Sequence, residues 1–355
     1  MASTPALLKT LFGFAVGLAA MLLVSLAITA FPRLTWPQVL RTAVGIALCF
    51  AMVHWVGLAR QAGAVARVHV LATTLTVVCL SLALAEPFIV NWQESAKFPI
   101  IPMQVYTGFT RVMADGVNPN VMAGALVILL PLPLSSLLFA SKLLRVCTLR
   151  AAWPWIQVIG LPALAMLVTV PMLVLTQSRG AFIAFVASVA LLFVLRSRKS
   201  LVPVLAVIIL LTVFWIAQPS ALNAFGTTLA ASSTINGLDN RIEIWSRAWY
   251  MVQDFAFTGI GMGSFEQVTE MLYPLIITPP GVPHAHNLFL QIAVDLGVPG
   301  LIAWLGILIT VIVSSWRAYR SADSTLRALG AGLLASQVAL CVHGLTDAVT
   351  WGMVR

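Results

Sequence analysis

Apolar runs long enough to cross a bilayer recur along the whole chain, at roughly 11–31, 37–58, 68–86, 119–140, 153–177, 180–195, 201–217, 287–316 and 326–350. A hydrocarbon core of ~30 Å takes about 20 residues of helix, so these runs predict about nine or ten spans. In lipid every backbone amide must be paired within the protein, and strand-like alternation is absent, so the expected fold class is an all-α polytopic membrane protein. With 60% apolar and 9% charged residues and a mean hydropathy of +1.00, a water-soluble domain is excluded, because no soluble core hides that much apolar surface. Ser25 and Ala27 have the spacing of a signal cleavage site, but the first run is about 21 residues long and reads as a retained span.

With the N-terminus inside, Lys9, Arg60, Arg67, Lys142, Arg145, Arg150, Arg196, Arg198, Lys199, Arg317, Arg320 and Arg327 fall in cytoplasmic segments. Short loops rich in Lys and Arg stay inside, so the polar stretch 218–286 is expected outside. The net charge of +9 then reports topology and attraction to membrane lipid headgroups. No basic stripe with interleaved aromatics indicates nucleic acid. Cys49, Cys79 and Cys341 lie in spans and Cys147 in a cytoplasmic loop, which offers neither an outer disulfide nor a CxxC metal site.

No linker or repeat divides the chain, so residues 1–355 read as one helical domain with 218–286 as a large loop inside it. In that loop Asn240 and Glu243 have capping-box spacing, which predicts a helix from 241 to about 254. Trp245, Ala248 and Val252 make one face apolar and turn Arg241 inward. Glu243 and Arg247 are spaced for a surface ion pair. The glycines of TGIGMGSF, at 259, 261 and 263, make either an ordinary turn or an anion nest. His284, His286 and Asn287 then stand at the mouth of an apolar helix that breaks at Gly297, Pro299 and Gly300.

The remaining membrane polar groups gather at the same outer boundary: Arg41, Glu86, Asn118, Asn120, Arg179, and the pair His343 and Asp347 one helical turn apart in the last span. Charges in lipid are costly, so each is a functional candidate. Each also has a structural alternative. Arg41 can snorkel to headgroups, His343 and Asp347 can bond between helices, and Arg247 can be a solvated partner of Glu243. A metal held by His284 and His286 is not expected, because no carboxylate or thiolate accompanies them at ligand spacing. Arginine forks match phosphate oxygens, and histidine can take a hydroxyl proton near neutral pH. Together they suit attack on a sugar carbon whose leaving group is a lipid pyrophosphate.

His286-Asn287, nine residues, then Gly297-x-x-Gly300 resembles the signature of the O-antigen ligase and O-antigen polymerase superfamily. Asn118-Pro119-Asn120, Ser178-Arg179-Gly180, Arg241-x3-Trp245, the 259–263 glycines and His343-x3-Asp347 are similar to further family features in the same order, over roughly residues 105–350. The resemblance implies a metal-independent bacterial inner-membrane glycosyltransferase without a cofactor, acting at the periplasmic face. Its donor would be an undecaprenyl-pyrophosphate-linked glycan and its acceptor a hydroxyl on lipid A-core or on another glycan. By position, Arg179 and Arg241 would hold the pyrophosphate and His286 would assist the acceptor. Arg247, Arg41, His284, Asn287 and Asn120 would line the substrates, with His343, Asp347, Gly297 and Gly300 in support. Trp245 and Leu301 depart from the ligase pattern, and the N-terminal set of spans is shorter than the family's dozen, so ligase and polymerase both stay open. A small-solute transporter, which would place charges near mid-bilayer between inverted repeats, and a structural assembly factor are the rivals from other classes.

Overall fold

The computed structural model describes residues 4–58, 61–92, 103–108, 116–143, 156–197, 199, 202–203, 238–277, 281–348 and 351. Among these the chain is helical, with one isolated parallel bridge between Val90 and Val117 and no strand. The helices are α1 (Thr4–Ile28), α2 (Pro32–Gly57), α3 (Gln61–Ile89), α4 (Met103–Thr107), α5 (Pro119–Leu129), α6 (Pro131–Leu143), α7 (Leu161–Leu175), α8 (Arg179–Arg196), α9 (Leu238–Asp254), α10 (Phe265–Leu272), α11 (Leu288–Tyr319) and α12 (Ser324–Gly344). Among the described residues, eight stretches are long and apolar enough to cross a membrane. They coincide with the expected runs except 201–217, which lies almost wholly outside the described residues. The chain is a polytopic helical membrane protein.

Two compact units emerge, the first formed by Met1–Ala47, Lys199–Thr310 and Gly344–Met353, the second by Leu48–Arg198, Val311–His343 and Val354–Arg355. In the second, α3 and α6 pack along α7, and α5 along α8. Its core joins Cys79, Ala83, Ala123, Leu126, Leu130, Leu173, Ala181, Ala184 and Ala339. The alanines let helix backbones approach closely, which is what holds helices together where lipid is as apolar as the side chains. Asn118 caps α5, its side chain accepting the Asn120 N–H at 2.8 Å, with Pro119 at the first helical position. The Asn-Pro-Asn triplet is thus a helix start. Glu86 is wholly buried in the last turn of α3.

In the first unit the decisive feature is the break in α11. Gly297 has φ 69° and ψ 178°, a conformation essentially reserved for glycine. A Cβ there would stand 2.8 Å from the Ala256 carbonyl oxygen. Broken helices leave carbonyls without partners, and here the glycine loop supplies the donors. Ile260 N–H bonds the Val294 carbonyl at 2.9 Å and Gly261 N–H the Asp295 carbonyl at 3.2 Å, while Val298 N–H bonds the Ala256 carbonyl at 2.7 Å. Gly259 N–H bonds the Phe255 carbonyl at 2.8 Å, Met262 N–H the Ser25 hydroxyl at 2.9 Å, and Gly263 N–H the Asp295 carboxylate. All five N–H groups from 259 to 263 are therefore taken, so the loop is a packing turn and not an anion nest. Beyond the break, Pro299–Tyr319 is ~31 Å long at 1.5 Å per residue, enough to span alone. The limb Leu288–Leu296 is left over to carry the His-Asn turn.

Three local expectations change. Asn240 is the third residue of α9 and not its N-cap. Glu243 makes no pair with Arg247; its carboxylate accepts the Ile276 N–H at 2.6 Å and the Ile277 N–H at 3.1 and 3.2 Å. Charge-assisted bonds to two backbone donors outcompete a solvated surface pair. The last helix ends at Gly344, so Asp347 lies in the turn after it and not one helical turn beyond His343.

Candidate functional site

Three stretches of the first unit meet around residue 347. Arg241, in the first turns of α9, donates from Nη1 to the Thr346 carbonyl at 2.7 Å, and the buried Ala248 and Val252 face of the helix holds it there. Asn287 is the N-cap of α11. Its Oδ1 accepts the Leu290 N–H at 3.0 Å, and its Nδ2 donates to the Leu345 carbonyl at 3.4 Å. This residue therefore starts the helix and straps it to the 345–347 turn.

Between these lie two buried histidines and an aspartate. Asp347 Oδ1 is 3.6 Å from His284 Nε2 and 3.6 Å from His286 Nδ1, and it also accepts the Ala348 N–H at 2.8 Å. The imidazole rings are 4.2 Å apart, centroid to centroid, inclined at 58°. His286 has φ 48°, uncommon for a residue with a Cβ, and its N–H donates to His284 Nδ1 at 3.2 Å. That bond settles a tautomer. His284 Nδ1 accepts, so in the neutral ring the proton is on Nε2, facing Asp347. Burial first, then His286, drives the His284 pKa down to about 3; Asp347 opposes this and Arg241 adds to it. His284 is a neutral hydrogen-bonding element, and neither ring nitrogen of His286 is hydrogen-bonded.

The ligand atoms of His284, His286 and Asp347 lie within 4.8 Å of one another. The fold thus supplies the carboxylate whose absence from the local sequence argued against a metal. The donor set still favours hydrogen bonding. Coordination through His284 Nε2 would move its proton to Nδ1, where the His286 N–H already points, leaving two donors facing each other.

Arg41 is exposed on α2 and donates to Gln38 Oε1 at 3.3 Å. Arg247 is half-buried on α9, its Nε without a hydrogen bond. Gly297 makes the break in α11, and Gly300 packs on the Leu296 side chain. Arg179, half-buried at the start of α8, Asn120 and His343 belong to the second unit. Asp347, which spacing along the chain matched to His343, faces His284 and His286 as well.

Residues 164–305, less than half of the chain, match the family model for O-antigen ligase. That segment is similar to the O-antigen ligase family. No curated protein matches the chain. The matched segment of this O-antigen ligase-like chain holds Arg179, Arg241, Arg247, His284, His286, Asn287, Gly297 and Gly300, whereas Arg41, Asn120, His343 and Asp347 fall outside it. The family indicates glycosyl transfer of the ligase or polymerase type on lipid-linked glycans in general.

Proposed function

We propose that this O-antigen ligase-like protein transfers a saccharide from undecaprenyl pyrophosphate to an acceptor hydroxyl at the periplasmic face of a bacterial inner membrane, without a metal. The observation that carries the mechanism is Asp347 Oδ1 at 3.6 Å from His286 Nδ1. A carboxylate on that side selects the Nδ1–H tautomer and leaves the Nε2 lone pair to take the acceptor's proton. The acceptor oxygen bonds the anomeric carbon as the bond to the pyrophosphate oxygen breaks, and the leaving group departs with the electron pair. The permanent charge of Arg241, tied down next to Asp347, offsets the charge growing on that leaving group. Arg179 is assigned the same role on the sequence resemblance. His284 holds the His286 backbone through its Nδ1.

Lipid A-core is the proposed acceptor, which makes the protein a ligase; a second lipid-linked repeat would make it a polymerase. Transfer from purified undecaprenyl-pyrophosphate glycan in EDTA, with lipid A-core supplied, tests the reading in wild type, Arg241→Ala and His286→Ala. Loss of product in both folded variants is expected. Longer glycan chains without attachment to lipid A-core would assign polymerisation. A wild type inactive with both acceptors overturns the transferase reading and raises the transporter.

A further inference from the structure

A buried chain of hydrogen bonds runs from the histidine turn to the chain's last residues. Ala285 N–H donates to Gln291 Oε1 at 2.7 Å, Gln291 Nε2 donates to Asp295 Oδ1 at 2.9 Å, and Trp351 Nε1 donates to Asp295 Oδ2 at 3.0 Å. Gly263 N–H donates to the same carboxylate. Gln291 is 0% exposed, Asp295 2% and Trp351 6%, so no solvent completes a broken link. The sequence gives no sign of it beyond Gln291 and Asp295 being four apart on one helix face.

We propose that Gln291 and Asp295 are positioning residues that hold His286 in its left-handed conformation, and that the relay works only with one carboxylate at either of the two positions. Two adjacent N–H groups set the turn: that of Ala285 is held by Gln291 and that of His286 by His284. The logic of the relay is directional. Both of its ends, Ala285 N–H and Trp351 Nε1–H, are donors. An amide presents its NH2 donors on one side and its acceptor oxygen on the other, so two amides in series cannot face a donor at each end. One member must accept on both sides, which a carboxylate does. Asp295→Asn leaves two N–H groups opposed, and turning the Gln291 amide over only moves the conflict to Ala285. Gln291→Glu opposes two carboxylates, which can meet only by taking up a proton between them. The double exchange Gln291→Glu with Asp295→Asn reverses the middle bond and restores both ends.

The inference rests on the reading of His286 as the base, and the experiment separates the two. Full-length wild type, Asp295→Asn, Gln291→Glu, the double exchange and His286→Ala are compared for kcat and donor KM, and for hydrogen exchange at the 284–287 amides. Each single exchange is expected to lower kcat on the order of 100-fold, the scale of a misplaced catalytic group, with KM little changed and faster exchange at Ala285. The double exchange is expected to recover kcat to within about tenfold of wild type and to restore slow exchange. Wild-type kcat in Asp295→Asn, or a folded double exchange as slow as the singles, overturns the relay. If the singles do not fold, a double exchange that folds and turns over supports it, and one that also fails overturns it. Activity retained in His286→Ala overturns the base assignment alone, because the exchange pattern still reports the relay.

Discussion

Replacing Asp347 by Asn keeps the shape of the 345–348 turn and removes one charge. Its consequence can be worked from the 3.6 Å separation between Oδ1 and His286 Nδ1. When His286 takes the acceptor's proton it becomes a cation, and two unit charges at that distance attract by about 4–5 kcal/mol at an effective dielectric of about 20. Each ~1.4 kcal/mol is tenfold in rate, so full loss of the attraction lowers kcat by about 10³. The term arises only as the proton moves, and donor KM should change far less. The assay is single-turnover transfer from a lipid-linked glycan, with the folded fraction checked by size exclusion in detergent. Asp347→Ala should be as slow as Asp347→Asn, since the charge and not the volume is at issue. A folded Asp347→Asn protein within tenfold of wild type refutes the reasoning.

Gly297→Ala should cost at least about 1–3 kcal/mol, from a left-handed conformation and a Cβ 2.8 Å from the Ala256 oxygen. Gly45→Ala, with nothing within 4 Å of its Cβ, should stabilise α2 by about 0.5–1 kcal/mol; thermal midpoints in detergent compare the two. His284 contributes a pH dependence. Its folded pKa of about 3 lies below the ordinary 6.5, so between these values the unfolded chain binds a proton that the native state refuses. Stability is therefore present above about pH 6.5 and lost as pH falls toward 3, and His284→Asn should flatten that stretch of the midpoint-against-pH curve. Glu243→Gln should weaken the bonds to the Ile276 and Ile277 N–H groups by roughly 1–3 kcal/mol, read as faster hydrogen exchange confined to those two amides.

Much of the candidate site was legible one motif at a time, and the structure explains why each motif has its form. The His286–Asn287 pair combines a base candidate with a helix cap. The Gly297 break and the 259–263 glycines, thirty-odd residues apart in the chain, are two halves of one joint. Spacing along the chain misled in three places. Asn240 with Glu243 imitated a capping box, Glu243 with Arg247 imitated a surface pair, and His343 with Asp347 imitated neighbours on one helix. Glu243 and Asp347 have partners on distant segments that local sequence does not name.

Sequence alone determined the class of molecule, because hydropathy is a sum over neighbours in the chain, and a bilayer admits few answers to a run of 20 apolar residues. It also marked the break in α11 at Gly297 and the caps at Asn118 and Asn287, since caps and glycine conformations are local. Tertiary structure alone decided that Asp347 faces His284 and His286, and that Ala285 is tied to Trp351 through Gln291 and Asp295. Those pairings join residues some sixty positions apart in the chain, and directional bonds at such separations are selected only once packing has removed water from all the partners together.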